Sequence, residues 1–193
     1  MKPIAIVVAF GALTMAAHAQ QIFDPNLISL RHDFETDPPE APPTGPFTLG
    51  NATFSEQSTG TGGPGWRLIE VWPGFGRQLT DNAGITDMSI VFDQAMTAVG
   101  LDVGIGAAVY MVDFLHDATV VGSVEISVGS VDAHDFAGWA DDSGITSVHI
   151  VETSGENGLV GGIDNVRYDT VPEPATLVAI GLGLAALAAR RRG

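Results

Sequence analysis

The stretch Val120-Val121-Gly122-Ser123-Val124-Glu125-Ile126-Ser127-Val128 sets Val124, Ile126 and Val128 on one side and Ser123, Glu125 and Ser127 on the other. Alternation with a period of two is that of a strand with one face in a core and one in water. Met88, Ile90 and Phe92 repeat the pattern before Asp93. Residues 26–34, 46–54, 66–72, 97–103, 108–115, 145–152 and 159–168 read the same way. Between them lie a Pro-rich segment at 37–46, a Gly-rich one at 59–65, the tight turn Pro73-Gly74-Phe75-Gly76 and the turn Asp141-Asp142-Ser143-Gly144. No internal repeat and no long helical stripe precede the C-terminal region. The expected fold is all-β: a two-sheet antiparallel β-sandwich, foremost a jelly roll, with an immunoglobulin-like sandwich and a small open barrel as alternatives.

Composition narrows the chemistry. The chain has 193 residues, room for one ordinary core with flanking tails. Its 23 Asp and Glu against 8 Lys and Arg give a net charge of −15, which repels nucleic-acid phosphates, so no nucleic-acid partner is expected. Cysteine is absent, which excludes disulfides, thiolate zinc sites, iron–sulfur clusters and a Cys nucleophile. Between residues 20 and 170 the only cations are Arg31, Arg67, Arg77 and Arg167. An acidic surface of that kind suits solubility and divalent cations, and meets acidic polysaccharide only across a bridging cation.

Both ends carry targeting signals. Residues 1–19 combine Lys2, an apolar run and the small-residue triplet Ala17-His18-Ala19, the pattern of a secretory signal helix removed before Gln20. At the other end, residues 175–189 are apolar on every face and are followed by Arg190, Arg191 and Arg192. As a helix they reach about 22 Å, a shallow transmembrane span that snorkelling Arg side chains can complete. The Arg cluster stays on the cytoplasmic side, which places the preceding residues outside. Between domain and tail, Val171-Pro172-Glu173-Pro174 excludes helix and ladder alike, giving an extended, accessible strap. The organisation read from the sequence is a signal peptide at 1–19, a β-sandwich ectodomain at 20–170 and a sorting region at 171–193, with motif 171–174, helix 175–189 and Arg-rich tail 190–193.

The order Val171-Pro172-Glu173-Pro174, apolar helix and terminal Arg cluster closely resembles the PEP-CTERM sorting signal of Gram-negative bacteria. That resemblance implies export by the Sec machinery, transient anchoring in the inner membrane, and processing at the Pro-Glu-Pro motif by an exosortase. It implies release to the cell surface or medium and a role linked to exopolysaccharide and biofilm. A second resemblance covers Phe136-Ala137-Gly138-Trp139, the segment 145–150, and Gly161-Gly162-Ile163-Asp164-Asn165-Val166-Arg167-Tyr168. These are similar to the closing strands of extracellular jelly-roll domains. The last of them resembles the terminal strand of carbohydrate-binding modules, which implies a structural calcium ion held by Asp164 with Glu35 of the Phe34-Glu35 pair. Asn165 stands where that pattern has a second Asp, and offers a neutral carbonyl oxygen in its place.

Catalytic patterns are not legible. The chain lacks Gly-x-Ser-x-Gly and His-Glu-x-x-His. His116-Asp117 and Asp132-Ala133-His134-Asp135 read as exposed turns. The Gly-rich loop 59–65 lacks the Lys of a phosphate cradle, and residues 81–87 fail the helix–loop–helix pattern of a calcium hand. The expectation is therefore a non-enzymatic exported protein. The alternatives are a lectin-like domain, with Trp72 and Phe75 at a turn as a stacking platform for sugar, and a hydrolase with an unrecognised site. Trp66 and Trp139 join Trp72 and Phe75 as candidates for that platform, although Trp on a strand serves more often in packing.

Overall fold

The computed structural model describes residues 19–35, 45–57, 66–70, 77–81, 85–104, 107–130, 133–155 and 161–170. They form eleven strands: β1 (Ala19–Gln21), β2 (Leu30–His32), β3 (Phe47–Leu49), β4 (Ala52–Glu56), β5 (Trp66–Glu70), β6 (Arg77–Asp81), β7 (Asp87–Gly104), β8 (Ala108–His116), β9 (Thr119–Ser127), β10 (His134–Gly155) and β11 (Gly162–Thr170). A 3₁₀ turn, Pro25–Leu27, is capped by Asp24, whose carboxylate accepts from the Asn26 N–H.

Every strand pair is antiparallel, and one hydrogen-bonded ladder joins all eleven. β7 and β10 fold that ladder into two layers. The first half of β7 pairs with β4 and with the second half of β10, which continues to β8 and β9. The second half of β7 pairs with β11 and with the first half of β10, flanked by β1, β2 and β6. Contacts across the gap fix the stacking: Trp139 stacks on Phe114 at 6.3 Å, Phe92 packs on Tyr168 at 5.2 Å, and Phe34 meets Phe54 edge-on at 6.0 Å. The result is the jelly-roll-like antiparallel sandwich that the periodicity predicts.

The period-two faces meet in the middle. Met88, Ile90, Val99, Leu101, Val103, Tyr110, Val112, Phe114, Val148 and Ile150 are fully buried, and Val124, Ile126 and Val128 nearly so. Each such side chain removes apolar area from water worth about 1.5–3 kcal/mol. Polar groups share this interior as well; His32 Nε2 lies 3.0 Å from the Tyr168 hydroxyl, which gives each a partner away from water.

Several segments differ from the sequence reading. Residues 46–54, read as one strand, form the hairpin β3–β4, because Gly50 takes φ +52° and turns the chain with Asn51. Residues 88–92 and 97–103 are one strand, β7, which runs through Asp93. Asp141-Asp142-Ser143-Gly144 is an irregularity inside β10 and not a loop: the Asp141 carboxylate accepts from the Ser143 N–H at 2.7 Å, Gly144 takes φ +91°, and the register shifts between Ala140 and Ile145. Residues 26–34 give the 3₁₀ turn and the short β2, and β1 and β6 were not legible in the pattern.

Candidate functional site

Where β2 ends, it lies against the middle of β11. Val166 pairs with His32, and Arg167 with Leu30. That pairing delivers Phe34 and Glu35 beside Asp164, although 129 positions separate Glu35 from Asp164 in the sequence. β7 brings Asp102 opposite Asp164 on the other side of β11.

The ladder breaks there for a local reason. Asn165 takes φ +47°, a left-handed conformation that Asn tolerates better than most residues, and the β7–β11 register shifts between Asp164 and Arg167. The turn folds Asp164 back on its own neighbour, so that its Oδ1 accepts from the Asn165 N–H at 2.6 Å. The Phe34 N–H donates to the same carboxyl. The Asn165 amide donates from Nδ2 to Asp102 Oδ2 at 2.8 Å and to Asp164 Oδ2 at 3.3 Å. Arg167 Nη1 donates to the Asn165 carbonyl at 2.7 Å and stands 3.7 Å from Asp102 Oδ1, with its guanidinium over the Phe136 ring. The Arg77 N–H donates to Glu35 Oε1.

Three carboxyl groups thus share one corner of the sandwich. Asp164 is 8 % exposed. Burial, and then the negative charges of Asp102 and Glu35, push its carboxyl up to about 6, against the pull of the two backbone N–H donors. An anion held at such a cost is an electrostatic deficit that a divalent cation would remove, and the oxygen-rich donor set is of the hard type that calcium prefers. Among the described residues, no three His, Asp or Glu side chains converge as a finished metal-ligand group. Asn165 presents its amide nitrogen to the carboxylates in the present arrangement.

A second feature, of mixed polarity, lies on the outer face of the layer built from β4, β7, β10 and β8. A shallow groove of about 350 Å³ runs between Gln57, Asp87, Ser89, Ser147 and His149, with Val91, Leu115 and Val148 supplying apolar lining. His149 Nε2 meets Asp87 Oδ1 at 2.8 Å across β7 and β10, and both side chains are partly exposed. Nothing in the sequence paired these two, since they are 62 positions apart.

The remaining candidates fall as follows. Trp66 is buried in the core against Phe47, and Trp139 packs over Gly122 and Phe114, so both serve packing. His116 Nδ1 bonds the Gly144 carbonyl at 2.8 Å, and Asp117 forms the β8–β9 turn with φ +53°. His134 and Asp135 are exposed, and Asp135 accepts from the Phe136 N–H. Ala19 and Gln20 lie in β1, opposite Asp141 and Ala140. Trp72, Phe75, Ala17, the motif Val171 to Pro174, the apolar run and Arg190 to Arg192 lie outside the described residues. Among the described residues, no helix is long and apolar enough to cross a membrane.

Over residues 170–192 the chain matches the PEP-CTERM protein-sorting motif. No curated protein matches it. Among solved structures it is similar to the enzymatically active domain of bacteriophage CBA120 tailspike protein 4, at 10 % identity and TM-score 0.39, covering 77 % of this chain and 22 % of that one. It is similar to CsCBM6-3 from Clostridium stercorarium in complex with cellobiose, at 19 % identity and TM-score 0.35, covering 56 % of this chain and 85 % of that one. A family 29 carbohydrate-binding module, CBM29-2, matches at 11 % identity and TM-score 0.34, covering 63 % of this chain and 98 % of that one. This chain spans about a fifth of the length of the tailspike chain.

Proposed function

We propose that the protein is an exported, non-enzymatic β-sandwich that an exosortase processes at Val171-Pro172-Glu173-Pro174, and that it then acts at the cell surface or in the matrix with exopolysaccharide. The sorting motif over residues 170–192 carries this reading. The residues divide the work. Pro172 and Pro174 keep the strap extended, Glu173 gives it a charge to be read, the apolar run holds it at the membrane, and Arg190 to Arg192 stop translocation. In the native host, Glu173→Ala is expected to leave a longer, membrane-retained precursor while the wild type is trimmed. Equal trimming of the two would contradict the proposal.

Calcium belongs to the same proposal as a structural ion. Glu35 and Asp164, with Asn165 contributing once its amide turns, are the residues that would hold it. The ion would supply the positive charge that the corner lacks and tie the start of the domain to its last strand. Calcium titration with calorimetry is expected to show binding to the wild type and none to Asp164→Ala. Absence of heat with the wild type would remove the ion from the account.

A second reading, a carbohydrate-binding domain, is favoured by the groove at Asp87 and His149, whose Gln57, Ser89 and Ser147 neighbours are hydrogen-bonding partners suited to sugar hydroxyls. Retention on the host's own polymer that is lost in His149→Ala would support it. Passage of the wild type without retention would end it.

A further inference from the structure

Large apolar side chains on the surface of this domain are not scattered evenly. Among the described residues, six large apolar side chains are exposed; Phe23 at 79 %, Leu27 at 70 % and Leu30 at 49 % fall within eight positions of one segment, whereas Ile85, Val91 and Val120 stand apart from it in the sequence. Single exposed apolar residues need no explanation, whereas a cluster rimmed by polar groups marks a surface that meets something apolar.

The strand register places this cluster. After β1 the chain follows β10 as far as Ile22, whose N–H donates to the Gly138 carbonyl. It then crosses the outer face of the layer, with Ile28 over Gly100, and enters β2 beside β11. The Tyr168 N–H donates to the Ser29 carbonyl, and Leu30 pairs with Arg167, so the crossing segment lies within a few residues of Thr170, where β11 ends. Ala19 registers opposite Asp141 at the same end, while Ala140 and Asp169 both flank Ala98. The entry to the domain and its exit therefore share one end.

From that exit only Val171, Pro172, Glu173 and Pro174 precede the apolar run. Four extended residues reach at most about 14 Å. A tail anchored in lipid would thus hold this end of the domain against the bilayer surface, with Phe23 and Leu27 within reach of it. The region offers few cations, Arg31 being engaged by the Tyr168 carbonyl and Asp169, so attraction to the surface comes from apolar burial and not from charge.

We infer that Phe23, Leu27 and Leu30 form a lipid-contacting surface that seats the sandwich on the membrane beside its exit, while the sorting strap is presented for processing. This rests on the anchoring role proposed for residues 175–189, and the test separates the two.

The chain has no cysteine, so single Cys variants take one environment-sensitive fluorophore each. Phe23→Cys, Leu27→Cys, Ser127→Cys at the opposite end of the sandwich and Leu182→Cys within the apolar run are purified from cell membranes with the tail intact. They are reconstituted in phosphatidylcholine–phosphatidylethanolamine vesicles, with and without spin-labelled phosphatidylcholine. The expected result is blue-shifted emission, quenched by the spin-labelled lipid, at positions 23, 27 and 182, and water-like, unquenched emission at 127. Lipid contact at 182 with water-like emission at 23 and 27 would overturn the seating surface and leave the anchor standing. A blue shift at 23 and 27 without lipid quenching, abolished by truncation after Pro174, would overturn it in favour of the chain's own tail covering the patch. Absence of lipid contact at 182 would overturn the anchor and the seating surface together.

Discussion

Replacing Asp164 by Asn tests the acidic corner through a sign change with pH. The Asp164 carboxyl rises from an ordinary 3.8 to about 6 on folding, which by linkage amounts to about 3 kcal/mol against the ionised form in the folded state. A raised carboxyl contributes its stabilisation in full below the unfolded value, near pH 4, and loses it as the pH climbs through 6. Asn removes the charge at every pH. It keeps one oxygen for the Asn165 N–H but turns an amide toward the Asn165 Nδ2, losing a 3.3 Å contact worth about 0.5–1.5 kcal/mol. In EDTA, Asp164→Asn should therefore be about 1 kcal/mol less stable than the wild type below pH 4. Above pH 6 it should be more stable by about 1–2 kcal/mol. Urea unfolding of both proteins at intervals from pH 3.5 to 8 reads the difference directly, cancelling the acid sensitivity of the other carboxylates. A constant deficit of the variant across the whole range would refute the reasoning, because it would mean that the folded protein accommodates the charged Asp164 at no cost.

Other consequences follow from packing and backbone conformation. A Cβ added at Gly122 would fall inside the Trp139 indole, so Gly122→Ala should destabilise by about 1–3 kcal/mol, read as a lower urea midpoint with an unchanged slope. Asp117 takes φ +53° in the β8–β9 turn, so Asp117→Val should cost about 1–2 kcal/mol while Asp117→Gly stays near neutral, both by thermal unfolding. Phe54 is fully buried between Phe34 and Phe47, and Phe54→Ala should cost about 3–5 kcal/mol in the same assay.

Strands with one wet face were legible in the sequence because their period survives any tertiary context. Val124, Ile126 and Val128 face the core as their spacing requires, and so do Met88, Ile90 and Phe92. Less legible were the places where turn-forming residues do not end a strand. Asp141 and Ser143 make the side-chain-to-backbone bond expected of a turn, yet β1 pairs Asp141 on one side and the ladder to β7 resumes at Ile145, so β10 bends and continues. The reverse held at Gly50-Asn51, where two residues suffice to reverse the chain inside an apolar run.

The acidic corner was legible only in part. Glu35 and Asp164 were paired by resemblance, and the β2–β11 ladder supplies the physical reason they meet. Asp102, whose charge acts on Asp164, occupies a strand position outside any motif, and Arg167, although inside the quoted terminal strand, carries no signal there of its contact with Asp102. The groove pair Asp87 and His149 is invisible locally, because only the register of β7 against β10 brings the two together.

Intact-mass and C-terminal peptide analysis of the protein released by the native host bears most directly on the sorting account. The account predicts a chain that ends within or next to Val171 to Pro174 and lacks residues 175–193. Recovery of released protein that extends unbroken through Arg192 would contradict it.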